Sequence, residues 1–139
     1  MSTENKVIVQ RMVEIVQNQH QLEHMPDFFE PNFVNHLDHD LASPLNSIEK
    51  AQYMFRQMFA AFPDMRVTIQ QQVAEGDTVM THKIFEGTHL GAFMGVAPSR
   101  KPIRFGVIDI LRLANGKIVE HTAIQDRLGM MQQLGLLPT

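Results

Sequence analysis

The chain has 139 residues, a formal net charge of −3 and no cysteine. That length suits one ordinary domain spanning residues 1–139, large enough to bury a real core. The charge does not suit a nucleic-acid backbone, which calls for a basic stripe, and the missing cysteine excludes disulfides and thiolate metal sites. The amino-terminal run MSTENKVIVQRMVEIVQNQ is polar and amphipathic, with no signal-peptide core, and no apolar run is long enough to span a membrane. A cytoplasmic protein is expected.

Ser2 or Thr3 can cap a first helix, with Val7, Ile8, Met12, Ile15 and Val16 at helical spacing. A loop follows, with a short helical piece around Met25 to Phe29, and then a short extended segment, Phe33-Val34-Asn35-His36. Ser47 opens a second helix whose apolar face is Tyr53, Met54, Met58, Phe59 and Phe62, and Pro63 stops it. From Val67 the period changes to two. Val67 to Val73 and Thr78 to Glu86 read as strands joined at Gly76-Asp77; Ile103 to Ala114 and Lys117 to Gln125 read as strands joined at Asn115-Gly116, the strongest hairpin signal in the chain. A short final helix starts at Asp126 or Arg127 and ends near Gly135. Helices first and an antiparallel meander last define an α+β class.

A two-residue turn at Asn115-Gly116 places Asp109 opposite Thr122 and Phe105 opposite Asp126, and directly opposed residues share a face. The more apolar face, assigned inward, holds Phe105, Val107, Asp109, Leu111, Ile118, Thr122, Ile124 and Asp126. His121 and Gln125 fall outward. The turn at Gly76-Asp77 groups Met80, His82 and Ile84 inward with Gln71, and sends Thr81 and Lys83 to the other side. A bulge would flip this parity beyond it. The resulting inward surface, mostly apolar with Asp109, Asp126, His82 and Gln71 among it, has the composition of a small-molecule pocket. The outer face, with Ile108, Ile110, Val119 and Ala123, is too apolar for solvent alone, so a homodimer or higher homo-oligomer is expected.

Phe33-Val34-Asn35-His36, Phe62-Pro63-Asp64, Gly87-Thr88-His89-Leu90-Gly91, Asn115-Gly116-Lys117-Ile118-Val119-Glu120-His121 and the run from Asp126 to Gly135 carry a resemblance. At these residues the chain resembles the SnoaL-like polyketide cyclases of the NTF2-like superfamily. The resemblance implies a cone, in which a curved antiparallel sheet wraps around helices and a pocket opens at one end. It also implies cofactor-independent acid/base chemistry, an intramolecular aldol closure or related enolate reaction, on a small apolar carbonyl ligand. In that comparison an aspartate at the end of the final strand is the general acid/base, and Asp126 matches it. Asn35 and His36 match a pocket-lining segment. Two departures bear on the substrate: Thr122 stands where the family often has Trp, and Pro98-Ser99-Arg100-Lys101 stands where it often has Pro-Thr-Gly-Lys.

Asp126, His36 and His82 are therefore the candidate catalytic residues. Asn35, Asp109, Thr122, Phe105, Val107, Met80 and Tyr53 are the candidate ligand-binding set. Asp126 has two readings: a catalyst with a pKa raised by apolar walls, or an N-cap of the final helix, which would hold the carboxylate ionised. Asp109, inside Val107-Ile108-Asp109-Ile110-Leu111, needs a partner in either reading. The His36-x-x-His39 spacing with Asp38 and Asp40 lacks a third ligand motif, so no metal is assigned. His89 reads as a loop-organising residue. A non-catalytic binding module on the same cone is the alternative. So is a relative of the isomerases or epoxide hydrolases of this fold. However, Val107 stands where the epoxide-opening type has an activating Arg, and the sole tyrosine, Tyr53, lies on the second helix rather than the first.

Overall fold

The computed structural model describes residues 2–137. The amino-terminal helix α1 (Ser2–Met12) runs directly into a π-helical turn, Val13–Asn18, and a 3-10 turn, Leu22–Asp27, leads into β1 (Phe29–Asn35). Helix α2 (Ser47–Ala61) follows. It begins with a capping box: the Asn46 side chain accepts from the Glu49 N–H at 2.9 Å, and the Glu49 carboxylate accepts from the Asn46 N–H at 2.9 Å. Then come β2 (Arg66–Glu75), β3 (Thr78–Thr88), β4 (Pro102–Ala114), β5 (Lys117–Gln125) and the short α3 (Arg127–Gln133). Among the described residues no helix is long and apolar enough to cross a membrane.

The five strands form one curved mixed sheet in the order β1-β5-β4-β3-β2. Three antiparallel hairpin pairings run through β2 to β5, as the alternation and the two turns require. The short extended segment of the sequence reading is longer than expected. It joins the sheet edge as β1, parallel to β5, so the sheet is not wholly antiparallel. The core lies between this sheet and the amino-terminal helices, with Val9, Met12, Val13, Val16, Met25, Val79, Leu111 and Ile118 all buried.

Two irregularities decide which side chains look inward. In β5, Ile118 pairs with Leu113 and Glu120 with Arg112, so Val119 is an extra residue. In β2 the register shifts between Ile69 and Gln71. Beyond such a bulge every side chain changes face. Asp109 is consequently paired with Ala123 rather than Thr122, and Leu111 with His121. Ala123 turns inward, and Thr122 and Ile124 turn outward, the reverse of the expectation. In β3, Val79, Thr81, Lys83 and Phe85 are buried while Met80 is 40% exposed. The inward assignment of Met80 and His82 is therefore corrected to the outer face. The cross-strand partner of Met80 on β2 shares that outer face: Val73 is 51% exposed.

Candidate active site

A cavity of about 540 Å³ lies between the sheet and helix α2 and is partly open to solvent. Its deep end is lined by buried Met12, Gln17, Lys83, Asp109 and Leu111, and its mouth by exposed Leu37, Met54, Met94 and Arg127. Phe85 and Phe105, stacked at 5.3 Å between centroids, help form the apolar wall with Val107 and Met58.

Lys83 and Asp109 meet at the deep end. The Lys83 Nζ donates to Asp109 Oδ2 at 2.6 Å, with both side chains almost wholly buried at 2% and 5% exposure. Removing two charges from water is costly unless they are paired, and here each neutralises the other. Lys83 also donates to Gln17 Oε1 at 3.3 Å. The π-helical turn aims Gln17 at the cavity. Its neighbour Asn18 pins that turn to β2 by donating to the Val67 carbonyl at 3.0 Å and accepting the Val67 N–H at 2.6 Å. Widened turns of this kind recur at functional sites.

His121 lies further along the lining. The Asn35 Oδ1 accepts the Leu37 backbone N–H at 3.1 Å, which identifies it as the amide oxygen. The same oxygen lies 3.0 Å from His121 Nδ1, so Nδ1 must be the protonated nitrogen. In the neutral ring Nε2 then carries the free lone pair, and no described residue hydrogen-bonds it. Burial pushes the His121 pKa down from 6.5 to about 4; the nearby Asp109 charge opposes the shift, while Lys83 and His36 add to it. The imidazole is therefore uncharged at neutral pH, a base with an accessible lone pair.

The expected site residues divide between the two faces. Asn35, Asp109, Phe105 and Val107 line the cavity. Asp126 does not: it is exposed and caps α3, its Oδ1 accepting the Gly129 N–H at 2.9 Å. The added residue in β5 removes the register that would have turned it inward. His36 points outward to Glu120 at 2.6 Å, and Arg112 donates to the other oxygen of that carboxylate at 2.7 Å, so both partners hold Glu120 below its ordinary pKa. His82 and Thr122 are half-buried on the outer face, and Tyr53 is 56% exposed on the solvent side of α2. His89 organises the loop between β3 and β4, as expected: the Ser99 N–H donates to its Nδ1 at 3.2 Å. Among the described residues no group of three or more His, Asp or Glu is arranged to hold a metal ion. At the mouth, Lys50 donates to Asp38 at 2.6 Å and lowers the pKa of that carboxylate.

Lys83, Gln17 and His121 were missed as site residues. Lys83 was detectable, because a mid-strand acid needs a cation nearby and Lys83 is the one Lys or Arg within β3. Gln17 carried no signal, since nothing in the alternation marks a π-helical turn.

An α+β cone whose sheet cups a mostly apolar cavity defines the NTF2-like fold. Within that fold, the SnoaL-like polyketide cyclase family model matches residues 6–134, and the chain belongs to this family. It is similar to AclR of Streptomyces galilaeus, a candidate hydroxylase, at 27% identity and a TM-score of 0.86, covering 100% of this chain and 85% of that one. It is similar to IdmH of Streptomyces antibioticus, a candidate polyketide cyclase, at 31% identity and a TM-score of 0.81, covering 94% and 98%. A candidate polyketide cyclase from Bacillus cereus shares 28% identity at a TM-score of 0.80, covering 98% and 83%. No curated protein sequence matches the chain closely.

The depressed His121 pKa has a consequence for stability. As pH falls below 6.5 the unfolded chain takes up a proton that the folded chain refuses until about pH 4, so the unfolded state gains protons first and stability falls across that window. Denaturant titrations of wild type against His121→Gln should show an additional wild-type loss on the order of 2–3 kcal/mol between pH 7 and 4. Parallel curves for the two proteins would refute the buried neutral imidazole.

Proposed function

We propose that the protein is a cofactor-independent enzyme of the cyclase type, acting on an uncharged, largely apolar carbonyl ligand. The observation that carries this reading is His121, neutral and with its Nε2 lone pair free, in the same apolar cavity as the Lys83 ammonium. Nε2 takes a proton from the carbon next to a carbonyl, and the C–H electron pair moves onto the carbonyl oxygen. Lys83 has a third N–H beyond those given to Asp109 and Gln17, and it supplies a positive donor for that developing charge, usually the largest electrostatic contribution. The carbanion then attacks a second carbonyl of the same ligand, forming the C–C bond, and the imidazolium returns its proton to the new alkoxide. Apolar walls keep water from quenching the carbanion. Asp126 is assigned the cap of α3, and His36 and His82 are assigned to the outer surface.

Exchange of the methyl protons of 2-acetylnaphthalene with D2O, followed by NMR, tests this assignment. His121→Gln should slow catalysed exchange about 100-fold or more, whereas Asp126→Asn should leave it nearly unchanged. Loss of exchange in Asp126→Asn, with His121→Gln active, would reverse the roles.

We also propose that a second copy covers the outer sheet face, where Ile124 is 78% exposed beside Ile108, Ile110 and Met80. Such a patch is unusual on a monomer. Sedimentation velocity should show a dimer or larger assembly that Ile124→Glu shifts to monomer; a monomeric wild type would reject the second copy.

A further inference from the structure

The deep end of the cavity holds an unmatched pair of hydrogen-bonding positions. Asp109 Oδ2 is taken by Lys83, but Oδ1 is buried and has no partner among the described residues. An ionised oxygen in that setting needs a donor, and leaving it without one is strongly unfavourable. Beside it, Lys83 keeps one N–H unassigned after donating to Asp109 and Gln17. A free acceptor and a free donor thus belong to two side chains that are bonded to each other and line the same cavity.

We infer that this end of the cavity is a two-oxygen subsite, recognising a ligand that carries a hydroxyl beside its carbonyl. The hydroxyl donates to Asp109 Oδ1, and the carbonyl oxygen accepts from Lys83 Nζ. A hydroxy ketone satisfies both positions. A simple ketone leaves Oδ1 unpaired, and a carboxylate adds a second negative charge against it. The inference rests on the carbonyl-ligand reading above and narrows it to hydroxy ketones. Elsewhere in the lining the Asn35 oxygen already accepts from Leu37 and His121, and the Asp38 carboxylate is held by Lys50 at the mouth. His121 Nε2 is a neutral acceptor, and a hydroxyl bonds more strongly to the charged Asp109 Oδ1.

Three small probes test it by calorimetric titration: 2-acetylnaphthalene, 2-(hydroxyacetyl)naphthalene and 2-(methoxyacetyl)naphthalene. The hydroxy ketone should bind about tenfold or more tightly than the other two, because only it can donate to a charged acceptor. Lys83→Met combined with Asp109→Leu removes both charges at once, a replacement that buried ion pairs often tolerate. This double variant should bind all three probes within about twofold of one another. His121→Gln should keep the preference while losing proton exchange. Equal binding of the three probes to wild type overturns the subsite, and if exchange persists it leaves the base assignment standing. A retained preference with undiminished exchange in His121→Gln supports the subsite and overturns the base. No binding by any probe overturns both.

Discussion

One extra residue, Val119, determines what β5 shows to the interior. Without it, the two-residue turn at Asn115-Gly116 would carry a simple alternation to the end of the strand, turning Thr122, Ile124 and Asp126 into the cavity. With it, Leu113 faces Ile118, Arg112 faces Glu120, and His121, Ala123 and Gln125 take the inward positions. The same shift frees Glu120 to tie together Arg112 and His36 on the outside. It also releases Asp126 to cap the last helix. The chemistry proposed for the cavity depends on this shift, since side-chain direction in a strand has a period of two and a one-residue slip exchanges the faces.

The second constraint is the buried ion pair. Lys83 and Asp109 have little access to water, so each persists as a charge only because the other is there. Their sum is neutral, and with a neutral His121 the deep end carries no net charge, which suits an uncharged ligand. It nevertheless presents a strong local field, a fixed ammonium in a poorly hydrated space, where an oxygen that gains negative charge during reaction is favoured over the same oxygen at rest. The π-helical turn serves this arrangement by placing Gln17 on Lys83, while Asn18 locks the turn to the start of β2.

Much of the fold was legible in the sequence. The Gly76-Asp77 and Asn115-Gly116 turns and the period-two runs around them specify the hairpins. Asn115 and Gly116 both adopt the positive φ that a tight hairpin turn demands, 52° and 78°. The inward set on β4 was legible for the same reason: Phe105, Val107, Asp109 and Leu111 keep strict alternation with no bulge among them. The site on β3 and β5 was harder to read. A bulge leaves no mark in residue chemistry, because Val119 is as good a strand residue as its neighbours. On β2 and β3 the paired and exposed Val73 and Met80 drew the apolar face the wrong way, and Lys83 read as a solvent residue because lysines usually are. The one sequence signal against that reading was Asp109, a mid-strand acid in need of a cation, and the structure supplies Lys83 as its partner.

The most direct test of the account is the protonation state of one ring. In protein labelled with 15N-histidine, NMR should show His121 as the Nδ1–H tautomer at pH 7, with an Nε2 shift typical of a bare nitrogen and a titration midpoint near 4. An Nε2–H tautomer, or a ring that titrates near 6.5 like an ordinary histidine, would contradict it and remove the base from the cavity.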